Sequence, residues 1–435
     1  MTILKILIVC EHASNAYGGE AILPLNYFSY LTKSQHDVYL ITHDRVKASM
    51  LKMLEIKQNH VFYVPDTWAH QFLNKLARKL PARFGAVTIG FITHLLTQLY
   101  QWKQVKKIVK DKQIDLIHEP APVSAVHPSA MFGFGVPVLI GPMNGGMSFP
   151  PAFQYMAGWS ERILYQFIRL FTSVYNLIIP GKFFADVLLV ANTRTLRALP
   201  KFRLGKVIEL VENGVFSVAD KPKAVSPSSQ INVLYVGRLI DLKMIDIAID
   251  AVMKCNSDIK LTILGDGPLR GQLMEYAQTN AAGKVQFLGA VPHAEINQHY
   301  DSADVFVLPS VRECGGAVVL EAMARGLPVI AVNWGGPADY ITEETGFLID
   351  PKSRPHMVEE FARIIEQLAE QPLLRYKIGE AAKNCTLSIV LVCAYAISCP
   401  RKGPSPKIVS LILPLHFITA SMAISIIFKS IKRPT

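Results

Sequence analysis

Ten short apolar runs separated by helix-length stretches constrain this chain more than any other feature. KILIVC, HDVYLIT, IDLIH, VPVLIG and DVLLVA occupy the first half; INVLYVG, IKLTILG, VQFLG, DVFVLP and LPVIAV follow in the second. Nearly continuous apolar runs of this length predict strands buried on both faces, joined by helical crossovers into parallel sheets. Each half carries enough strands for its own sheet, and 435 residues suffice for two cores. The predicted fold class is therefore α/β, two Rossmann-like domains facing across a cleft, followed by an atypical apolar C-terminal tail. The domains are placed at 1–212 and 213–384 and the tail at 385–435, the changeover falling where NGV precedes a Pro-, Ser- and Lys-rich stretch, Asn213 to Gln230. Ligands of such sheets bind beyond the carboxyl ends of the strands.

One segment points to the ligand. In RECGGAVVLEAMARGLP, Arg312 to Pro328, two glutamates stand eight positions apart around a glycine pair, and Gly326 and Pro328 stop the helix. Glu321 projects from an otherwise apolar helix, so it is expected to have a hydrogen-bonding partner. Glu313 lies just before the helix, where main-chain N–H groups and the positive dipole end attract anions. It either reads ligand hydroxyls there or simply complements the dipole. Together the features suit a ligand carrying phosphate and sugar.

The formal charge of +11 is unevenly spread. Between Thr67 and Lys110 there is no Asp or Glu, yet Lys75, Arg78, Lys79, Arg83, Lys103, Lys106, Lys107 and Lys110 all fall there, interleaved with Leu and Phe. This is the pattern of a basic amphipathic helix on an anionic membrane surface, or of a solvated basic face. No recognisable nucleic-acid-binding module accompanies it, so nucleic acid is not expected as a partner. The six cysteines show no CxxC pair and no metal-ligand spacing, which suits reduced thiols in the cytoplasm. ILKILIVC lacks a basic n-region and a small-residue cleavage site and is expected to be the first strand. After Glu380 the chain is acid-free, and Ile408 to Phe428 is a 21-residue uncharged run broken by Pro414 and His416. That length can span a bilayer, so an aberrant chain end, a membrane anchor and a buried helix all stay open, as does membrane association.

The motifs VGRLIDLK, LTILGDGPL, VQFLGAV, the two-glutamate segment and GGPADYI occur in an order that resembles the family 4, group 1 type glycosyltransferases, over roughly Ile3 to Lys383. The resemblance implies a GT-B fold, a nucleotide-sugar donor, retention of anomeric configuration and no cofactor. It implies that Arg238 and Lys243 hold the donor diphosphate, where negative charge grows as the sugar leaves. An ordinary surface salt bridge is the alternative for that pair. Met244 follows Lys243 where the family usually has glycine. Glu321 corresponds to the ribose-binding carboxylate. Glu313 corresponds to the residue contacting the transferred sugar, with Gly316, Ala317 and Val318 offering main-chain N–H groups. Gly265 and Gly267 would make the tight turn near the nucleotide, or merely a turn. Gly18 and Gly19 would bring the first-domain loop close to donor phosphate and acceptor, or form a flexible loop.

Many relatives carry a histidine after the strand matching VPVLIG, where this chain has GPMNGG. Asn144 or main-chain amides could replace it, and His118 and Glu119 are candidates for the acceptor side or for satisfied structural residues. The chain has no Asp-x-Asp triplet, so charge on the leaving nucleotide would be met by Arg238, Lys243 and the helix N-terminus rather than by a metal. The resemblance implies a front-face displacement with a glycan or lipid-linked acceptor, in envelope polysaccharide synthesis. A nucleotide-sugar epimerase or a phosphorylase of the same architecture fits less well. A donor-binding protein impaired by loss of the usual C-terminal crossing helices is the alternative from another class.

Overall fold

The computed structural model describes residues 3–14, 19–33, 36–52, 58–80, 82–122, 124–158, 172, 174–210, 218, 219, 223 and 230–398. The chain divides into two compact units. The first gathers Met1–Gly146 and Gly158–Glu212, and the second Met147–Ala157 and Asn213–Val392.

The first unit is built on β1 (Lys5–Val9), β2 (Asp37–His43), β3 (Val61–Val64), β4 (Leu116–Glu119), β5 (Val138–Met143), β6 (Val187–Val190) and β7 (Lys206–Glu209). They form one sheet in the order β3-β2-β1-β4-β5-β6-β7, every neighbouring pair parallel. Successive residues of one strand feed two cores. Ile6, Ile8 and Leu40 pack on one face of the sheet, while Leu7, Val9 and Ile41 pack on the other. Burial on both faces is why these strands read as continuous apolar runs.

The second unit repeats the plan with β8 (Gln230–Val236), β9 (Asp258–Leu264), β10 (Val285–Gly289), β11 (Val305–Leu308), β12 (Val329–Val332) and β13 (Gly346–Ile349). Its order is β10-β9-β8-β11-β12-β13, again all parallel. In both sheets the order reverses at the first strand, so chain segments leave β1 and β4, and β8 and β11, side by side and diverge. The two expected Rossmann-like domains are present.

The last described helix, Pro372–Ser398, runs without a break past residue 385, where the sequence predicts the tail to begin. Arg375 ties its start to the second unit, donating to the Leu368 carbonyl at 2.7 Å. Ile408 to Phe428 lies outside the described residues, as does Gly18. Among the described residues no helix is long and apolar enough to cross a membrane.

Candidate functional site

The reversal of strand order in the second unit brings together the loops after β8 and β11. Beyond β8 come Gly237 and Arg238, a single 3-10 turn Asp241–Lys243, Met244, and the helix Ile245–Lys254. The buried Tyr235 hydroxyl donates to the Arg238 carbonyl at 3.3 Å and holds the loop from beneath. The loop is tied sideways to the end of β11. The Leu242 carbonyl accepts from the Val311 N–H at 3.1 Å and the Ser310 hydroxyl at 3.2 Å. This stitching sets Lys243 Nζ in direct contact with Glu313 Oε2. Their side chains are 17% and 15% exposed, enough for a ligand to reach them yet partly stripped of water. Arg238 stands exposed on the same loop.

Met244 takes the left-handed conformation, φ +47° and ψ +43°. Glycine adopts this without strain, which accounts for glycine at the corresponding place in the family; here a buried methionine side chain holds it instead. Two glycine pairs are dictated by close approach. A Cβ on Gly265 would lie 1.9 Å from the Gly237 carbonyl oxygen, and one on Gly267 2.4 Å from that of Leu239. Leu239 N–H in turn donates to the Asp266 carbonyl at 3.0 Å. GDGP thus buttresses the Arg238 loop. Beyond β12, a Cβ on Gly335 would lie 2.2 Å from the Glu313 carbonyl, which accepts from Gly336 N–H at 2.9 Å. The Glu313 backbone is clamped from that side. Arg312 stacks over the Phe149 ring at 5.0 Å, and Trp334 donates to the Ser148 carbonyl at 2.8 Å. The segment Met147–Ala157 is thereby fixed to the second unit.

Gly316, at φ +64°, caps the helix Ala317–Ala324. As at any helix start, the main-chain N–H groups of Ala317 and Val318 have no acceptor within the helix, and a Cβ on Gly316 would lie 3.3 Å from Glu313 Cγ. Glu321 has the partner expected of it. The hydroxyl of Tyr300, on the helix His293–Ser302, donates to its Oε2 at 3.0 Å. Burial, and then the adjacent Glu321 charge, push the Tyr300 hydroxyl well above its ordinary range, so it stays protonated and donating. Tyr300 was not legible as a site residue, because it is brought in from a helix one crossover earlier.

In the first unit Gly19 opens the helix Gly19–Lys33. His118 and Glu119 end β4 and are fully buried. His118 Nε2 bonds the Gly141 carbonyl at 2.8 Å, and burial depresses the imidazole to about 4, so it is neutral. Glu119 accepts from Gln98 and Ser129, and burial raises it. Asn144 is also buried, its Oδ1 accepting from Asn192 at 3.4 Å and Thr195 at 3.5 Å. All three have structural partners inside the first unit.

A different polar cluster follows β1, β2 and β3. Glu11 pairs with Arg45 at 3.3 Å and with His94 at 3.2 Å. Burial alone would raise Glu11; the His94 hydrogen bond and the charges of His94, His12 and Arg45 outweigh it and bring it to about 2. Ligand atoms of His43, Asp66 and His70 lie within 4.8 Å of one another. Both imidazoles accept a main-chain N–H at Nδ1, His43 from Arg45 at 3.2 Å and His70 from Thr67 at 3.3 Å. The His43 proton therefore sits on Nε2, facing Asp66 at 3.8 Å, with the Arg45 guanidinium alongside. With Nδ1 accepting on both rings, each imidazole carries its proton on Nε2, and a cation would have to displace one beside the Arg45 charge.

Two Rossmann-like domains, with a basic and acidic pair at a strand-order reversal beside a helix start, define the GT-B class of fold. Residues 218–385, within the second unit, match the family model "Glycosyl transferases group 1". Among curated proteins the chain is 29% identical over 248 residues to sulfoquinovosyl transferase SQD2 of Arabidopsis thaliana, covering 54% of this chain and 45% of that one. It is 31% identical over 163 residues to the lipopolysaccharide core biosynthesis glycosyltransferase LpsE of Rhizobium meliloti, covering 37% and 46%. The matched stretches thus span less than half the length of these relatives. Among solved structures, a glycosyltransferase from Rickettsia africae ESF-5 aligns over 100% of both chains with TM-score 0.64 at 18% identity, a likeness of fold.

Proposed function

We propose that the protein transfers a sugar from a nucleotide-sugar donor to a glycan or lipid-linked acceptor in envelope polysaccharide synthesis, with retention and without a metal. The observation that carries the reading is the convergence of Lys243 and Glu313 beside the first turn of Ala317–Ala324. A diphosphate laid there meets Lys243, Arg238 and the N–H groups of Ala317 and Val318, all suited to charge that grows on the departing phosphate. Glu313, released from Lys243 by the diphosphate, is left to accept hydroxyls of the transferred sugar. Glu321, oriented by Tyr300, takes the ribose hydroxyls. With the cation pair and helix start available, a divalent ion is not required, and donor phosphate can take the acceptor's proton in a front-face displacement.

The kind of acceptor is supported by LpsE, named for lipopolysaccharide core biosynthesis, among the relatives. The test is turnover of a nucleotide-sugar panel by the purified chain, with Glu313→Ala and Arg238→Ala beside it and excess EDTA in a parallel arm. Full activity in either variant would refute the site, and complete inhibition by EDTA would refute the metal-free reading.

A further inference from the structure

The helix Trp68–Ala77 has its two faces sorted in an unusual way. Thr67 caps it in a box with His70. The buried His70 ring meets His43 edge-on at 5.0 Å and bonds Thr97 of the long helix Ala82–Lys112 at 3.3 Å, which fixes the inward side. At four-residue steps the outward side carries Trp68, Phe72 and Leu76, which are 80%, 59% and 38% exposed. Lys75 and Lys79 share that side and are exposed as well. Single exposed apolar residues are ordinary, but a Trp-Phe-Leu stripe along one helix is a contact surface without its contact. On the long helix, exposed Ile92 and Leu99 give way along the same spacing to exposed Lys103, Lys106 and Lys110.

We infer that this face docks the first unit on an anionic lipid bilayer, which deepens the reading of a lipid-linked acceptor and rests on it only for its purpose. Tryptophan and phenylalanine beside lysines match the boundary between acyl chains and acidic headgroups, where rings insert and ammonium groups remain at the phosphates. No acidic residue occurs between Thr67 and Lys110 to oppose that approach. A soluble polyanion would account for the lysines but leave Trp68 and Phe72 in water. A second copy packed face to face would cover the rings but set lysines against lysines.

The test is co-sedimentation of the full chain with vesicles containing phosphatidylglycerol, and with vesicles of phosphatidylcholine alone, without donor or acceptor. Binding is expected to the first, to weaken with salt, and to fall at least about tenfold in Trp68→Ser/Phe72→Ser. Lys75→Gln/Lys79→Gln is expected to weaken binding and flatten its salt dependence. Trp68→Phe keeps the stripe and should bind while losing the blue shift of tryptophan emission expected of the native chain on vesicles. Both double variants sit on exposed positions, and unchanged thermal unfolding confirms their fold. No binding, or binding unchanged in Trp68→Ser/Phe72→Ser, overturns the inference, as does a native dimer that the variant converts to monomer. Because vesicle binding is read apart from turnover, its failure leaves the transferase reading intact, and a lack of turnover leaves the docking face intact.

Discussion

On the proposed reading the donor and Glu313 compete for the Lys243 ammonium, and replacing Glu313 by glutamine separates its two proposed roles. Without donor, Lys243 Nζ is held by Glu313 Oε2, with both side chains mostly but not wholly withdrawn from solvent. An ion pair at that degree of exposure is worth about 1 kcal/mol net. A bound diphosphate must take Lys243 away from it. Glu313→Gln removes the competitor and a negative charge beside the phosphates while keeping the side-chain volume. The affinity for a nucleoside diphosphate should therefore rise about fivefold, the equivalent of about 1 kcal/mol. Turnover should fall in the same variant by about a hundredfold or more, the usual loss when one polar group aimed at the transition state is removed. Lys243→Ala must move both quantities downward, since it removes the cation from free and bound states alike. Isothermal calorimetry with the nucleoside diphosphates of the active donors, beside initial rates, reads both. If Glu313→Gln binds nucleotide no better than the native chain, the two groups do not compete, and Lys243 does not face the diphosphate.

Other expectations follow from the same geometry. Met244→Gly relieves a left-handed residue costing roughly 1–2 kcal/mol but surrenders a buried side chain worth about 1.5–3 kcal/mol and adds chain entropy, so urea denaturation should show a net loss near 1–2 kcal/mol. Gly265→Ala puts a Cβ 1.9 Å from the Gly237 carbonyl at φ +133°, and should cost about 3 kcal/mol and abolish nucleotide binding together. Tyr300→Phe removes the Tyr300 hydrogen bond to Glu321, costing about 1 kcal/mol, and should narrow the difference in affinity between a ribonucleotide and its 2′-deoxy form. Burial holds folded His43 at about 4 and His127 at about 3, below the ordinary 6.5. Their contribution is thus complete above pH 6.5 and is lost as pH falls through 4, so the acid side of a Tm-against-pH curve should be less steep in His43→Gln, which keeps an acceptor for Arg45.

Nine of the ten runs read from the sequence have neighbours on both sides, and the tenth, VQFLG, is the edge strand β10. KILIVC, DVLLVA, INVLYVG and LPVIAV lie inside their sheets, where both faces must be apolar. The strands without an obvious run are β3, β7 and β13, and each is an edge strand of four residues. β7, KVIE, has exposed ends and a charge at either terminus, which is how an edge avoids pairing with another chain. Half-solvated edges carry no uniform hydrophobic signal, so their absence from a reading of runs reflects their position rather than weak folding.

The site divides along similar lines. Lys243, Glu313 and the glycines of GDGP could be placed from sequence because each answers a local demand: a loop after a strand, a helix start, a turn with no room for Cβ. Tyr300 could not, since its hydroxyl reaches Glu321 across a crossover and no spacing encodes that meeting. For His118 and Glu119 the sequence left an acceptor-side role and a structural one equally open. Their position at a strand end is the usual place for ligand contacts; Gln98 and Ser129 take up the Glu119 carboxylate and Gly141 takes up His118 Nε2, while His118 Nδ1 is buried with no hydrogen-bond partner. A polar residue at a carboxyl edge is thus only half an argument for a site, and the other half is whether neighbouring elements leave its atoms facing outward. Lys243 and Glu313 meet that condition only through each other. On the proposed reading, an ion pair that a diphosphate opens protects two charges before the ligand arrives and frees them when it does, which is why the proposal rests on this pair rather than on the buried polar groups of the first unit.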